Sequence, residues 1–307
     1  MSSKPHLVRT CLLLAVCLAA AHAPTEEPRA SEPPMEVLAN LSYRDGSPAC
    51  RLDLAVPKDG RSGRPAIVVI HGGGWIEGDK SSFSTADHPM PGSIREFARR
   101  GFVAATINYR LSREATYPAG LEDCRLAVRW LRAHAAEYGI DPKRIGAYGN
   151  SAGGHLALLL ALMPEGKPPA AEPHADQSSR VQAAASDSGP VNLLWQHERN
   201  QLRGVIETFL GGAPQEQRYR EASPSSYVGQ EAPPLLLIYG EADGQVGIES
   251  VDAFMADLSR AGHKNITYLR LAGVDHCPHS LVRVPFVEPL VQDFFARALK
   301  LDQKPAP

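Results

Sequence analysis

The sequence predicts an α/β fold: an eight-stranded, mostly parallel sheet flanked by helices. Three observations predict it. Strand-like and helix-like patterns alternate over residues 36–300. The middle strand candidates are continuous apolar runs, such as Ala66-Ile67-Val68-Val69-Ile70 and Leu235-Leu236-Leu237-Ile238, the composition of parallel strands buried on both faces. Glycine-rich turns follow several of these runs, at the strand ends where open α/β sheets place their sites.

Along the chain, the strand candidates are residues 36–44, 51–56, 66–70, 103–108, 145–148, 181–186, 235–239 and 267–271. Helices fall between them. Residues 121–138 put Leu121, Cys124, Val128, Leu131 and Ala135 on one stripe at helical spacing, and Gly139 supplies a stop. Residues 153–163 are apolar nearly all round, which predicts a buried helix ending before Pro164. Further helices are expected near 202–210, at 248–261 before Gly262, and at 289–299. Residues 164–178, with several Pro and Ala, read as a surface loop. With one helix expected between the sixth and seventh strands, the fold should carry a small lid or none.

The first residues read as an export signal. Lys4 and Arg9 form a basic start, and Cys11-Leu12-Leu13-Leu14-Ala15-Val16-Cys17-Leu18-Ala19-Ala20 is a short apolar run. Ala19-Ala20-Ala21 offers cleavage after residue 21; Ala21-His22-Ala23 fits less well because Pro24 would follow the cut. Lipoprotein processing at Cys17 is the alternative, with Val16 a poor residue before it. The expected organisation is a signal peptide at 1–21, a Pro-, Glu- and Ser-rich linker at 22–35, one α/β domain at 36–300 and a disordered tail at 301–307. Secretion or delivery to the periplasm follows, without stable membrane insertion after cleavage. Export usually means an oxidising compartment. The mature chain then keeps Cys50, Cys124 and Cys277, an odd number that reads as buried thiols rather than a disulfide scaffold.

Of 307 residues, 32 are Lys or Arg and 34 are Asp or Glu, so no basic excess argues for nucleic acid as a partner. No repeat at a fixed period appears. Oligomeric state is not legible.

The strongest local motif is Gly149-Asn150-Ser151-Ala152-Gly153-Gly154, a G-x-S-x-G between an apolar strand and a buried helix. A sharp strand-to-helix turn lifts the serine hydroxyl out of the sheet, and flanking glycines permit the close backbone approach. Ser151 is therefore the candidate nucleophile. The second motif, His71-Gly72-Gly73-Gly74-Trp75, follows the strand at 66–70. Glycines there leave backbone N–H groups free to meet an oxyanion, and the expected donors are the amides of Gly73, Gly74 and Ala152. His71 reads as structural, holding that loop.

The acid and base should follow late strands. Asp243 lies in Gly240-Glu241-Ala242-Asp243-Gly244-Gln245-Val246, after residues 235–239; His276 follows residues 267–271. The order Ser151, Asp243, His276 is that of α/β-hydrolases. Asp187, after residues 181–186, competes as acid, and His279 as base. Asp275 adjoins His276 too closely to orient its ring, Glu241 reads as solvated, and no elbow surrounds Cys277. No His, Cys and Asp spacing suggests zinc.

These motifs resemble the hormone-sensitive-lipase-like esterases. The fuller string through His155-Leu156-Ala157 is more similar to the BD-FAE family of bacterial carbohydrate-type esterases. So are Glu77-Gly78-Asp79-Lys80, Asn108-Tyr109-Arg110-Leu111, Tyr138-Gly139-Ile140-Asp141-Pro142-Lys143-Arg144-Ile145 and Ala222-Ser223-Pro224, together spanning about residues 50–295. The resemblance implies ester hydrolysis without a cofactor, including acetyl and feruloyl esters of plant polysaccharides. Two residues depart from it. Asn150 stands where members often have His, Pro or Asp, and Asn192 stands where an acidic residue is common. The expected function is an exported carboxylesterase acting through an acyl-enzyme on Ser151, with a small-molecule or carbohydrate ester as substrate. A kynurenine-formamidase-like amidase, a prolyl-peptidase-like hydrolase and a non-catalytic binding module are the alternatives. The signal peptide argues against the first, and the lack of a preceding propeller against the second.

Overall fold

A computed structural model describes residues 34–85, 90–199 and 202–302. The expected signal peptide, nearly all of the expected linker and most of the expected tail lie outside the described residues.

Eight strands form one sheet: β1 Met35–Ser42, β2 Arg51–Pro57, β3 Arg64–Ile70, β4 Val103–Ile107, β5 Ile140–Asn150, β6 Ala183–Asp187, β7 Leu235–Gly240 and β8 Ile266–Leu271. Their order is β1-β2-β4-β3-β5-β6-β7-β8. β2 runs antiparallel to β1 and β4; every pairing from β4 onward is parallel. Each predicted strand is present. β1 begins at Met35, at the end of the expected linker, and β5 extends back to Ile140 through a register break beside Arg64 and Ala66.

The helices are α1 Ile94–Arg100, α2 Ala119–Ala133, α3 Ala152–Leu162, α4 Leu193–Glu198, α5 Arg203–Leu210, α6 Glu216–Glu221, α7 Ile248–Arg260 and α8 Val287–Ala298. The apolar runs divide by the two-residue period of a strand. Ala66, Val68 and Ile70 of β3, with Leu235, Leu237 and Tyr239 of β7, enter the core shared with α2 and α3. Ile67, Val69, Leu236 and Ile238 enter the opposite core, with Phe97 of α1 and Phe295 of α8. Both faces are covered, which is why these strands carry no polar alternation.

Four helices, α1, α2, α4 and α6, differ from the sequence reading. α1 was not expected, although Ser93 and Glu96 form a reciprocal capping box at its start. Between β6 and β7 stand α4, α5 and α6 rather than one helix near 202–210. α4 and α6 have six residues each, too short to establish a helical period. α2 also ends at Ala133, with turns carrying the chain to Gly139. Among the described residues no helix is long and apolar enough to cross a membrane.

Candidate active site

Ser151 occupies the turn from β5 into α3. Its φ of 49° and ψ of −122° are costly for a residue with a side chain, and such strain persists only where neighbours over-determine it. Here they do. A Cβ on Gly149 would lie 2.4 Å from the Gly153 carbonyl carbon, and one on Gly153 would lie 2.0 Å from the Ile70 oxygen. No side chain fits at either position, so the two glycines of the motif are fixed by contact between β3, β5 and α3.

The His276 ring lies between two groups. Nε2 is 3.0 Å from Ser151 Oγ, and Nδ1 is 2.8 Å from Asp243 Oδ2. With a carboxylate on Nδ1, the neutral ring holds its proton there and turns a lone pair toward the serine hydroxyl. Asp243 Oδ1 accepts the amides of Gln245 and Val246, each at 2.8 Å, so the carboxylate is itself oriented. Burial pushes the Asp243 carboxyl up. The His276 hydrogen bond and charge, with those two amides, outweigh burial and hold it below the usual carboxylate range.

The glycine loop after β3 lies against this elbow. Gly73 and Gly74 have φ of 102° and 58°. Among the described residues neither of their amides donates to a protein acceptor. The Ala152 amide stands in the first turn of α3, where helix N–H groups have no intrahelical partner. The loop is held from several sides. Asn150 Oδ1 accepts the Gly72 amide at 2.8 Å, Tyr109 donates to the His71 carbonyl at 3.1 Å, and Ser112 donates through its amide and hydroxyl to the Trp75 carbonyl. His71 bonds the Gly72 carbonyl through Nδ1 and stacks on Tyr109; it does not reach Ser151. Trp75 Nε1 donates to His155 Nδ1 at 3.2 Å, while His155 Nε2 donates to the Ala222 carbonyl. Burial lowers the His155 pKa to about 4.

The competing residues lie elsewhere. The Asp187 carboxylate accepts from the backbone of His279 and from Ser280, and does not touch the His276 ring. His279 lies between Tyr148 and Glu288. Asp275 accepts the His276 amide at 2.7 Å rather than the ring, and Glu241 pairs with Arg270 at the surface. Cys277 is a buried free thiol, pushed well up by burial; Cys50 and Cys124 are also free and buried.

Two contributors carry no pattern in the sequence. Asn150 sits inside the elbow motif, at a position the motif leaves unspecified. Val205 of α5 leans on the glycine loop: a Cβ on Gly74 would lie 2.8 Å from its Cγ1. It belongs to a segment where no motif could point.

The BD-FAE family model matches residues 52–258. The chain belongs to the BD-FAE family of α/β-hydrolase-fold esterases. This BD-FAE chain is 32% identical over 267 residues to the esterase LipQ of Mycobacterium tuberculosis, covering 83% of its own length and 61% of the relative's. It spans about half to three-fifths of the length of LipQ and of two further Mycobacterium tuberculosis relatives, LipM and LipC. Among solved structures it is similar to a truncated carbohydrate esterase from gut microbiota, with 25% identity, a TM-score of 0.75, and coverage of 88% of this chain and 99% of that one. It is also similar to propionate-bound esterase 2 of Thermogutta terrifontis, with 27% identity, a TM-score of 0.71, and coverage of 90% and 98%.

Proposed function

We propose that the protein is an exported serine carboxylesterase acting on short acyl esters, including acetyl or feruloyl groups on plant polysaccharides. The observation that carries the esterase reading is the continuous hydrogen-bonded chain from Ser151 Oγ through His276 to Asp243, beside two glycine amides that have no acceptor among the described residues. Ser151 Oγ attacks the ester carbonyl carbon while His276 Nε2 takes its proton. The carbonyl oxygen becomes an oxyanion bound by the amides of Gly73, Gly74 and Ala152, each worth about 3 kcal/mol in the transition state. Asp243 stabilises the imidazolium. Collapse expels the alkoxide, which takes the proton from His276, and leaves an acyl group on Ser151. Water, deprotonated by His276, then releases the acid.

Substrate class rests on three supports. Propionate binds the Thermogutta relative, and the gut relative is a carbohydrate esterase. The basic and apolar leader directs the chain outward, where polymers and their fragments are met. Val205 of α5 crowds the glycine loop at Gly74, which favours a small acyl group beside the oxyanion.

The test is a panel of p-nitrophenyl acyl esters, acetylated xylan, methyl ferulate and N-formylkynurenine. Turnover of acetyl to butyryl esters is expected, with xylan deacetylation supporting the polymer reading. Hydrolysis of N-formylkynurenine with no turnover of any ester would move the protein to the amidases.

A further inference from the structure

We propose that Asp187 is a positioning residue that locks the loop carrying His276 to the turn carrying Ser151. The inference rests on the esterase reading of those two residues and adds a member that the Ser-His-Asp assignment does not contain.

Asp187 ends β6, and in the sheet register it lies opposite Asn150, the residue before the serine. It is fully buried. Its carbonyl accepts the Ser151 amide at 2.7 Å and is 3.5 Å from Cys277 Sγ. Its carboxylate reaches past His276 into the following turn, where Oδ1 accepts the His279 amide at 3.2 Å and Oδ2 accepts the Ser280 amide at 2.8 Å and the Ser280 hydroxyl at 2.7 Å. The next residue, Ser188, accepts the Cys277 amide on its hydroxyl at 3.0 Å. Two adjacent residues therefore hold the amide of the nucleophile and three amides just beyond the base. Nucleophile and base lie far apart in sequence, and the end of β6 binds the turn that carries one and the loop that carries the other.

The chemistry of the side chain fits this work. The groups aimed at it are two N–H donors and a hydroxyl, and a carboxylate offers acceptors only. Asparagine would turn an NH2 group toward one of those donors. A buried carboxylate is a poor source of net stability compared with apolar packing. What it supplies here is geometry. The His276 ring must stay within reach of both Ser151 Oγ and Asp243, and a misplacement of about 1 Å can cost about a hundredfold in rate. From the far side, Glu288 of α8 holds the His279 ring and the Gly92 amide, so the loop is gripped from β6 and from α8.

The experiment compares Asp187→Asn and Ser280→Ala with the unaltered protein. It measures kcat and KM on p-nitrophenyl acetate, circular dichroism, thermal stability, and the downfield proton resonance of His276 Nδ1–H, assigned by its loss in His276→Ala. Asp187→Asn is expected to lower kcat by about a hundredfold, with KM little changed, and to shift or broaden that resonance in a folded protein. Ser280→Ala, which removes one donor and keeps its amide, should show the same signature more weakly. If Asp187→Asn does not fold, Ser280→Ala and its resonance decide alone. Unchanged kcat and resonance in the folded variants would overturn the proposal, as would a loss of activity that follows only the unfolded fraction. If the unaltered protein shows the resonance but hydrolyses no ester, the esterase reading fails while the lock is still read from the spectrum.

Discussion

The side chain of Asn150 and the amide of Gly72 form a 2.8 Å hydrogen bond that ties the serine turn to the glycine loop after β3. Asn150 is nearly buried, so water does not readily replace the acceptor. Asn150→Ala frees the loop at its first residue, while Gly73 and Gly74 keep their backbone freedom. The expected result is a kcat reduced by about tenfold with a smaller change in KM, less than the hundredfold or more that accompanies loss of a whole oxyanion donor. Steady-state kinetics on p-nitrophenyl acetate checks it, and an unchanged kcat would remove Asn150 from the account of the loop.

Ser151→Ala should leave a folded protein with activity lower by about six orders of magnitude, as for removal of a nucleophile from other triads. An organophosphonate should label Ser151 in the unaltered protein and nothing in the variant. The alternatives are poor nucleophiles on structural grounds: Ser84 donates to Asp53 and Ser188 is buried against Cys277. Peptide mapping by mass spectrometry decides, and a label on either of those serines refutes the assignment.

How far the sequence reaches is visible in these residues. The central strands are legible because each is an unbroken apolar run, and the runs are unbroken because helices cover both faces. Ser151, Asp243 and His276 are legible because each follows a strand end, where topology alone brings distant residues together. Asp187 follows a strand end too, and so competes with Asp243 on sequence grounds. What separates them is the direction of a side chain, toward the amides of residues 279 and 280 rather than the ring of His276, and no spacing rule encodes that. α4 and α6 are illegible for another reason: six residues complete fewer than two turns, so packing rather than periodicity makes them helices.

His155 makes stability sensitive to acid. Its folded pKa of about 4 lies below the ordinary histidine value of about 6.5. Between those values the unfolded chain binds the proton and the folded chain does not, so stability is complete above about pH 6.5 and falls as pH drops toward 4. The physical cause is burial, which outweighs the hydrogen bond to the Ala222 carbonyl. The full effect is on the order of 3 kcal/mol. His155→Gln can keep both hydrogen bonds without a titrating ring. Denaturant unfolding at pH 7 and pH 4.5 should therefore show a smaller acid loss in the variant than in the unaltered protein. Equal losses would assign the acid sensitivity to other groups.

Val205 offers a handle on acyl selectivity. It projects from α5 onto Gly74, one of the two glycines expected to bind the oxyanion, and it is only half-buried. On the proposed mechanism a methyl group there limits the room an ester has beside the oxyanion, while Trp75 and Phe209, stacked at 4.4 Å, tie α5 to the glycine loop. In the unaltered protein the ratio kcat/KM should peak between acetyl and butyryl and fall steeply by decanoyl, because added carbons find little surface to bury. Each methylene that does become buried is worth about 0.8 kcal/mol, or roughly fourfold in kcat/KM. Val205→Ala opens the space at Gly74 without touching Ser151, Asp243 or His276. Octanoyl ester hydrolysis should rise relative to butyryl by about that factor or more, with the acetyl rate little changed. A chain-length profile identical in the two proteins would show that Val205 does not face the acyl chain, and a kcat/KM rising from butyrate to palmitate in the unaltered protein would refute the short-acyl reading itself.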